Sequence, residues 1–173
     1  MAVFATSGVD APVRQIAAKA GVGLGTVYRH FPQRSDLIAA VFRHEIDACA
    51  DAAPLLAGAH EPGEALARWM LRYVDFVAAK RGLAPALHSG DPAFDTLRAY
   101  FEQRLRPALR TLLTSAAAAG EVRSDVDADD ILGAVASLCS SAHNDGPGRA
   151  ERMVALFIDG LRYGTSPSRP PTK

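Results

Sequence analysis

The stretch from Gly21 to Pro32, which reads GVGLGTVYRHFP, decides the fold. Glycine and proline interrupt helices at its two ends, so a short helix from about Leu24 to His30 fits between them. Another short helix is predicted just before it, from Pro12 to Ala20, because proline suits an opening turn and apolar residues recur on one face. Two short helices joined by a tight glycine turn are typical of a helix-turn-helix, whose second helix lies in the major groove of DNA.

The second helix of this pair has an inward and an outward side. Val22, Val27 and Phe31 are predicted to point inward, which leaves the polar side chains for a partner. Hydroxyl and imidazole groups donate to phosphate oxygens, and Arg29 suits either a guanine edge or another phosphate. Gly25 lets the backbone approach a phosphate closely. The residues predicted to contact DNA are Arg14, Leu24, Gly25, Thr26, Tyr28, Arg29, His30 and Arg34.

This region contains several short motifs: Ile16-Ala17, Ala20-Gly21-Val22, the run from Gly25 to Pro32, and Asp36-Leu37. Together they resemble the DNA-binding segment of the TetR family. The resemblance covers about residues 4–45. It implies a dimer, a helical ligand pocket and release from DNA when an inducer binds. The alternative is a three-helix structural unit in which Tyr28 and His30 merely cover the core.

The sequence departs from that family pattern at two places. Where the family has a full helix before this segment, only Met1 to Thr6 precede Ser7 and Gly8 here, and so short a piece is not stable alone. We therefore expect this chain to bind DNA more weakly than one that carries the complete helix. At the position before Leu24, often a serine in the family, Gly23 supplies no side-chain cap.

Length and composition indicate a globular chain. The 173 residues, 49% of them hydrophobic and 22% charged, suit a small head on a larger body. No apolar run reaches the roughly 20 residues of a membrane span. Lys and Arg together number 19, as do Asp and Glu, so net charge gives no support to a nucleic-acid partner. Without a secretory signal, and with Cys49 and Cys139 inside helical patterns, the chain is predicted to be cytoplasmic with reduced thiols.

Apolar residues recur at spacings of three and four along almost the whole chain, and strand signals are nearly absent. The predicted fold is all-α, with a helix-turn-helix head at 1–52, a ligand-binding and dimerisation body at 53–165 and a disordered tail at 166–173. Pro54 to Gly63 is predicted to connect head and body. The other predicted elements are helices at about 34–52, 64–80, 92–119 (bent at Pro107), 129–143 and 149–163, a short segment at 83–88, and caps at Asp91 and Asp127.

Aromatic and aliphatic residues of the body are candidates for a ligand pocket. The resemblance favours this interpretation over plain core packing, which such stripes more often represent. The ligand-binding residues predicted on this basis are Trp69, Tyr73, Phe76, Leu87, Phe101, Leu105 and Leu109, with His88, Gln103 or His143 as polar groups.

Metal binding and catalysis receive little support. Cys139 and His143 stand four residues apart on one predicted helix, and His88 is a candidate third metal ligand. A small buried cysteine near a helix-end histidine is the preferred interpretation. The serines at 137, 140 and 141 have no glycine elbow. We therefore expect no cofactor, no metal and no enzymatic activity.

The last two helices are predicted to form a two-fold dimer interface, because the final helix has more apolar positions than one buried face requires. Small residues on its neighbour permit close helix approach. Burial within a single chain is the alternative. The predicted interface residues are Gly133, Ala136, Ser137, Ser140, Met153, Phe157 and Leu161.

Together these features predict a ligand-responsive transcriptional repressor. Its partners would be a pseudo-palindromic double-stranded operator, a small apolar or amphipathic inducer and a second copy of the chain, with no membrane. The competing hypothesis is a dimeric small-molecule binding protein that has lost DNA binding along with most of its first helix.

Overall fold

The computed structural model describes residues 12–81, 89–141 and 148–163. All the regular elements in these ranges are helical, which confirms the all-α prediction. They are α1 (Val13–Ala20), α2 (Leu24–His30), α3 (Arg34–Ala59), α4 (Pro62–Arg81), a 3-10 turn at Pro92–Phe94, α5 (Leu97–Ala118), α6 (Ala128–Ser141) and α7 (Arg149–Tyr163). The predicted segment at 83–88 and the predicted tail lie outside the described residues.

A left-handed glycine makes the turn between α1 and α2. Gly21 has φ 67° and ψ 25°, a conformation that glycine adopts without the penalty a side chain would bring. Its N–H donates to the carbonyl of Ala18 at 3.2 Å, and the N–H of Val22 donates to that of Ala17 at 3.0 Å. These bonds satisfy carbonyls that the end of α1 would otherwise leave open, so the chain reverses within a few residues.

The head has a small apolar core to which α1, α2 and α3 each contribute one buried residue: Ala17, Val27 and Leu37. Val27 and Phe31 point inward as predicted. Val22 does not, because it lies in the turn rather than on either helix, and 43% of its surface is exposed. The half-buried residues packed on this core are Val13, Ile16, Leu24, Phe31 and Val41.

The third helix continues through a proline. We expected it to end near residue 52 and Pro54 to Gly63 to form a connection, but α3 runs to Ala59 and α4 starts at Pro62. Proline removes one backbone hydrogen bond from a helix interior. Alanine and leucine around it favour the helix, and Ala53 is buried, so packing and propensity together outweigh the break.

The cap predictions hold, although α5 starts later than expected. The Asp91 carboxylate accepts from the Ala93 N–H at 2.9 Å, but this bond opens only the 3-10 turn, and α5 begins at Leu97. The Asp127 carboxylate accepts from the Asp129 N–H at 2.7 Å at the start of α6. Both acidic side chains therefore satisfy N–H groups that have no partner within the helix.

The chain divides into two compact units. One comprises 1–50 and 75–105, and the other comprises 51–74 and 106–173. Helices α3, α4 and α5 thus contribute to both units, whereas α6 and α7 belong to the second. The head and body boundaries drawn from the sequence stay a prediction. Among the described residues, no helix combines the length and the hydropathy that a membrane crossing requires.

In the second unit a glutamate caps the start of α4. The buried Gly63 N–H donates to Glu121 Oε2 at 3.0 Å, although the two residues are 58 positions apart. A Cβ on Gly63 would overlap that oxygen and would lie 3.1 Å from the Glu121 Cβ. A side chain at position 63 would therefore force Glu121 to move away from the cap.

We expect Gly63→Ala to lower the free energy of unfolding by about 1 to 2 kcal/mol, because the new methyl group displaces the Glu121 cap. Gly58→Ala on α3 is the matched control. Its Cβ would meet nothing within 4 Å, so it should be neutral or stabilising by up to about 1 kcal/mol. Urea denaturation of both variants measures the difference, and equal effects would contradict the capping role.

Candidate nucleic-acid interface

Helix α2 packs against the core of the head along one side. Val27 is its one buried residue, and Leu24 is half-buried against the same core. Tyr28, Arg29 and His30 are exposed, and 53% of the large Tyr28 side chain is open to solvent. An exposed aromatic residue beside a guanidinium and an imidazole is a surface suited to phosphates and base edges.

The start of α2 is open. Gly23 precedes the helix without a side-chain cap, as expected, and its carbonyl accepts from the N–H groups of Thr26 and Val27. A Cβ on Gly25 would meet nothing within 4 Å. No packing within the described head therefore fills the space in front of Gly25, which leaves its backbone accessible to a partner.

The Arg29 side chain folds back onto its own helix. Its Nε donates to the Gly25 carbonyl at 3.3 Å in an exposed position. A long bond of this kind is weak, so the guanidinium can leave it at little cost. Arg14 on α1 and Arg34 at the start of α3 are exposed as well. The Asp36 carboxylate accepts from the Gln33 N–H at 3.0 Å and orders the start of α3.

One predicted DNA contact has a second role. Leu24 was placed on the outward surface, but the structure packs part of its side chain against the head core. The remaining predicted contacts are exposed, except for the half-buried Thr26. Their contact with DNA stays a prediction.

The predicted ligand-binding residues are mostly buried. Trp69 and Tyr73 stack at 5.8 Å between ring centroids with planes 9° apart. In the first unit Phe76 lies 6.1 Å from Phe101, which is half-buried. Leu87, His88 and His143 fall outside the described residues. Trp69, Tyr73 and Leu109 belong to the second unit, and Phe76, Phe101 and Leu105 to the first. The pocket stays a prediction.

The predicted interface residues of α6 are accessible. Gly133, Ser137 and Ser140 are exposed and Ala136 is half-buried. The Ser137 hydroxyl donates to the Gly133 carbonyl at 2.8 Å, and the Ser140 hydroxyl donates to that of Ala136 at 2.9 Å. These bonds turn the hydroxyl groups onto their own helix and leave a surface of small residues.

Helix α7 has one buried face and one open face. Val154 and Ile158 are buried, whereas Met153 and Phe157 are half-buried. Leu161, predicted for the interface, is buried in its own unit, where its carbonyl accepts from the Arg123 N–H at 2.9 Å. Its contact with a partner stays a prediction. Leu156, an apolar residue of this helix that is not among the predicted interface residues, is 65% exposed on the opposite face.

The sequence analysis missed a polar cluster in the first unit. The Asp47 carboxylate on α3 accepts from the Tyr100 hydroxyl at 2.7 Å and from Arg104 Nε at 2.8 Å, both on α5. Burial alone would raise the pKa of Asp47, but these two hydrogen bonds and the Arg104 charge outweigh it and lower its pKa. The hydrogen bond to Asp47 raises the pKa of the Tyr100 phenol. Asp47 is therefore an anion at neutral pH.

Within the described residues no group of three or more His, Cys, Asp or Glu side chains is placed to hold a metal ion. Cys49 and Cys139 are both buried. His88 and His143, considered with Cys139 as ligands, lie outside the described ranges.

Comparison with known families and structures gave matches over most of the chain. Residues 1–41 match the family described as bacterial regulatory proteins, tetR family, and residues 61–163 match the SbtR-like transcriptional regulator C-terminal domain. No match was found among curated proteins.

Two solved structures are similar in both sequence and fold. A TetR transcriptional regulator from Streptomyces coelicolor is 40% identical, with 92% of each chain covered and a TM-score of 0.80. A TetR regulatory protein from Mycobacterium vanbaalenii is 37% identical, with 92% of this chain and 88% of that one covered and a TM-score of 0.68. A TetR family regulator from Thermus thermophilus, 21% identical over 95% of this chain and 94% of that one, shares the fold with a TM-score of 0.61.

Two short helices joined by a glycine turn, the second of them exposed along one side, define a helix-turn-helix DNA-binding protein. The body that follows is that of a regulator. The chain belongs to the TetR family of transcriptional regulators. That family is one of regulators and not a class of enzymes.

Proposed function

We propose that the protein is a dimeric cytoplasmic repressor that binds a pseudo-palindromic operator and leaves it when a small apolar or amphipathic inducer binds the body. The observation that carries the proposal is the open surface of α2, where one buried residue holds the helix and Tyr28, Arg29 and His30 face solvent.

Most contacts of α2 with DNA should be to phosphates. The Thr26, Tyr28 and His30 side chains carry donors for phosphate oxygens, while Arg29 is the candidate to read a guanine edge. Equal numbers of basic and acidic residues give the chain no overall positive field. Affinity then depends on these local groups and on pairing two heads across one site.

The inducer would contact the aromatic and aliphatic residues predicted from the sequence. Burial of Trp69, Tyr73 and Leu109, all in the second unit, supports an apolar environment there. Few charges accompany these side chains, so a neutral or amphipathic molecule fits the proposal better than a polyanion. The dimer would use the small-residue face of α6 and the open face of α7.

Selection from genomic fragments would supply the operator, and fluorescence anisotropy at fixed salt would then measure binding. We expect Tyr28→Ala to weaken binding to every sequence, because it removes a phosphate contact. Arg29→Ala should lose about 1 to 3 kcal/mol of discrimination at one base pair. Arg110 is an exposed arginine on α5. Arg110→Ala lowers the net charge by the same amount as Arg29→Ala and should leave DNA binding unchanged.

Two outcomes would contradict the proposal. Loss of binding in the Arg110→Ala control to the same degree would mean that net charge, not α2, determines affinity. Failure of the unaltered protein to bind any selected fragment, together with stabilisation by small molecules, would favour the ligand-binding protein.

A further inference from the structure

Helix α3 connects the DNA-binding head with the rest of the first unit. It begins at Arg34, after the three residues 31–33 that follow α2. Its first turns pack on the head core through Leu37 and Val41. A continuous helix transmits a displacement along its length, so whatever fixes the middle of α3 also fixes the position of α2.

The middle of α3 is joined to α5 by polar contacts at matching intervals. Arg43 donates to the Thr96 hydroxyl at 2.6 Å, and its guanidinium lies 6.0 Å from the centroid of the Tyr100 ring. One turn further along both helices, Tyr100 and Arg104 donate to Asp47. Arg43 and Asp47 are spaced by four on α3, and the same spacing joins Thr96, directly before α5, to Tyr100 and Arg104 on it, so each set lies on one face.

Apolar contacts beside this cluster are less specific. The Phe42 ring lies 5.6 Å from that of Phe76, which in turn lies 6.1 Å from Phe101. Stacked rings and aliphatic contacts tolerate small axial shifts, because burial is non-directional. Hydrogen bonds to one carboxylate do not tolerate such shifts, since they weaken steeply with distance and angle.

We propose that Asp47, held by Tyr100 and Arg104, is a positioning residue that locks α3 in register with α5 and so sets the placement of the recognition helix on DNA. The inference rests on the proposed operator binding. To the proposed function it adds a specific contact, through which a displacement of α5 reaches α3 and then α2. Rotation or sliding of α5 by a fraction of a turn breaks both bonds to Asp47.

Two variants of the full chain test the lock. Tyr100→Phe removes one hydroxyl and keeps the ring over Arg43, and Asp47→Ala removes both bonds. Operator affinity should fall roughly three- to tenfold for Asp47→Ala, and less for Tyr100→Phe, because the head must be ordered on binding. The salt dependence of binding should not change, since no phosphate contact is lost. Combining the two variants should weaken binding no further than Asp47→Ala alone.

Arg98→Gln is the matched control, because it removes an exposed ion pair between two residues of α5, Arg98 and Glu102. Hydrogen exchange without DNA supplies a readout independent of the operator. Amides of α3 should exchange faster in the two lock variants than in the control.

Unchanged exchange and unchanged affinity in both lock variants would overturn the inference. Faster exchange with unchanged affinity would overturn the role in DNA binding. If the unaltered protein bound no operator, the proposed function would fail, while faster exchange would still support the lock between α3 and α5.

Discussion

Replacement of Trp69 by alanine should lower the free energy of unfolding by about 3 to 5 kcal/mol. Trp69 has no exposed surface and is the largest fully buried side chain among the described residues. Its removal would forfeit the nearly parallel stack on Tyr73 and leave a cavity that surrounding helices fill only in part. Urea denaturation at a fixed protein concentration measures the loss, since dimerisation would contribute to the apparent stability.

Trp69→Phe is the conservative companion and should retain most of the stability, because an aromatic ring remains against Tyr73. The same variants test the pocket. Compounds that stabilise the unaltered protein in a thermal-shift screen should stabilise Trp69→Ala less if the indole lines the inducer site. A loss below about 1 kcal/mol in Trp69→Ala would show that the site collapses around the missing side chain.

Leu156→Asp should convert the proposed dimer into a monomer of 18.3 kDa and weaken operator binding by roughly a hundredfold or more. Leu156 is exposed in the single chain, so a carboxylate there costs the folded protomer little. In an interface the same carboxylate would be desolvated beside apolar groups. A monomer would also forfeit simultaneous engagement of two half-sites.

Leu55→Asp is the control for introducing a carboxylate at an exposed leucine. Leu55 has comparable exposure and lies on α3, outside the predicted interface. Sedimentation at micromolar concentration should give the mass of the dimer for Leu55→Asp and the mass of the monomer, half as large, for Leu156→Asp. Phe157→Asp, on the half-buried edge of the same face, should behave like Leu156→Asp. Retention of the dimer by both α7 variants would place the interface elsewhere.

Local chemistry made the head predictable. A glycine that can adopt a left-handed conformation, a proline after the second helix and apolar residues on one side of each helix all act within a few residues. The structure accordingly places Gly21, Val27 and Phe31 as expected. Aspartate caps were predictable for the same reason.

The same local rules misplaced the end of α3. Proline is a strong signal for a helix end, yet Pro54 lies inside a helix whose burial at Ala53 outweighs one lost hydrogen bond. Tertiary packing added to the helix propensity of the surrounding alanine and leucine residues, and the local pattern did not show that packing.

Long-range polar partners could not be predicted from one sequence. Asp47 and Tyr100 are 53 positions apart, and Gly63 and Glu121 are 58 apart. Asp47 and Tyr100 are unremarkable on their helices, where a charged or hydroxyl side chain suggests only exposure to solvent. Gly63 and Glu121 likewise carry no local signal that they meet. Such pairs follow from the way helices pack.

The hydrogen bond from Arg29 to the Gly25 carbonyl bears on the kinetics of DNA recognition. In the proposed complex the side chain would leave that bond as it extends to a base edge, so arrival on the duplex and reading of the sequence would be separate events. Arrival depends on contacts to phosphate, which every sequence offers equally. Reading adds a contact only where the correct base lies. In that complex Arg29 would therefore govern how long the protein stays at a site and would have little influence on how often it arrives there.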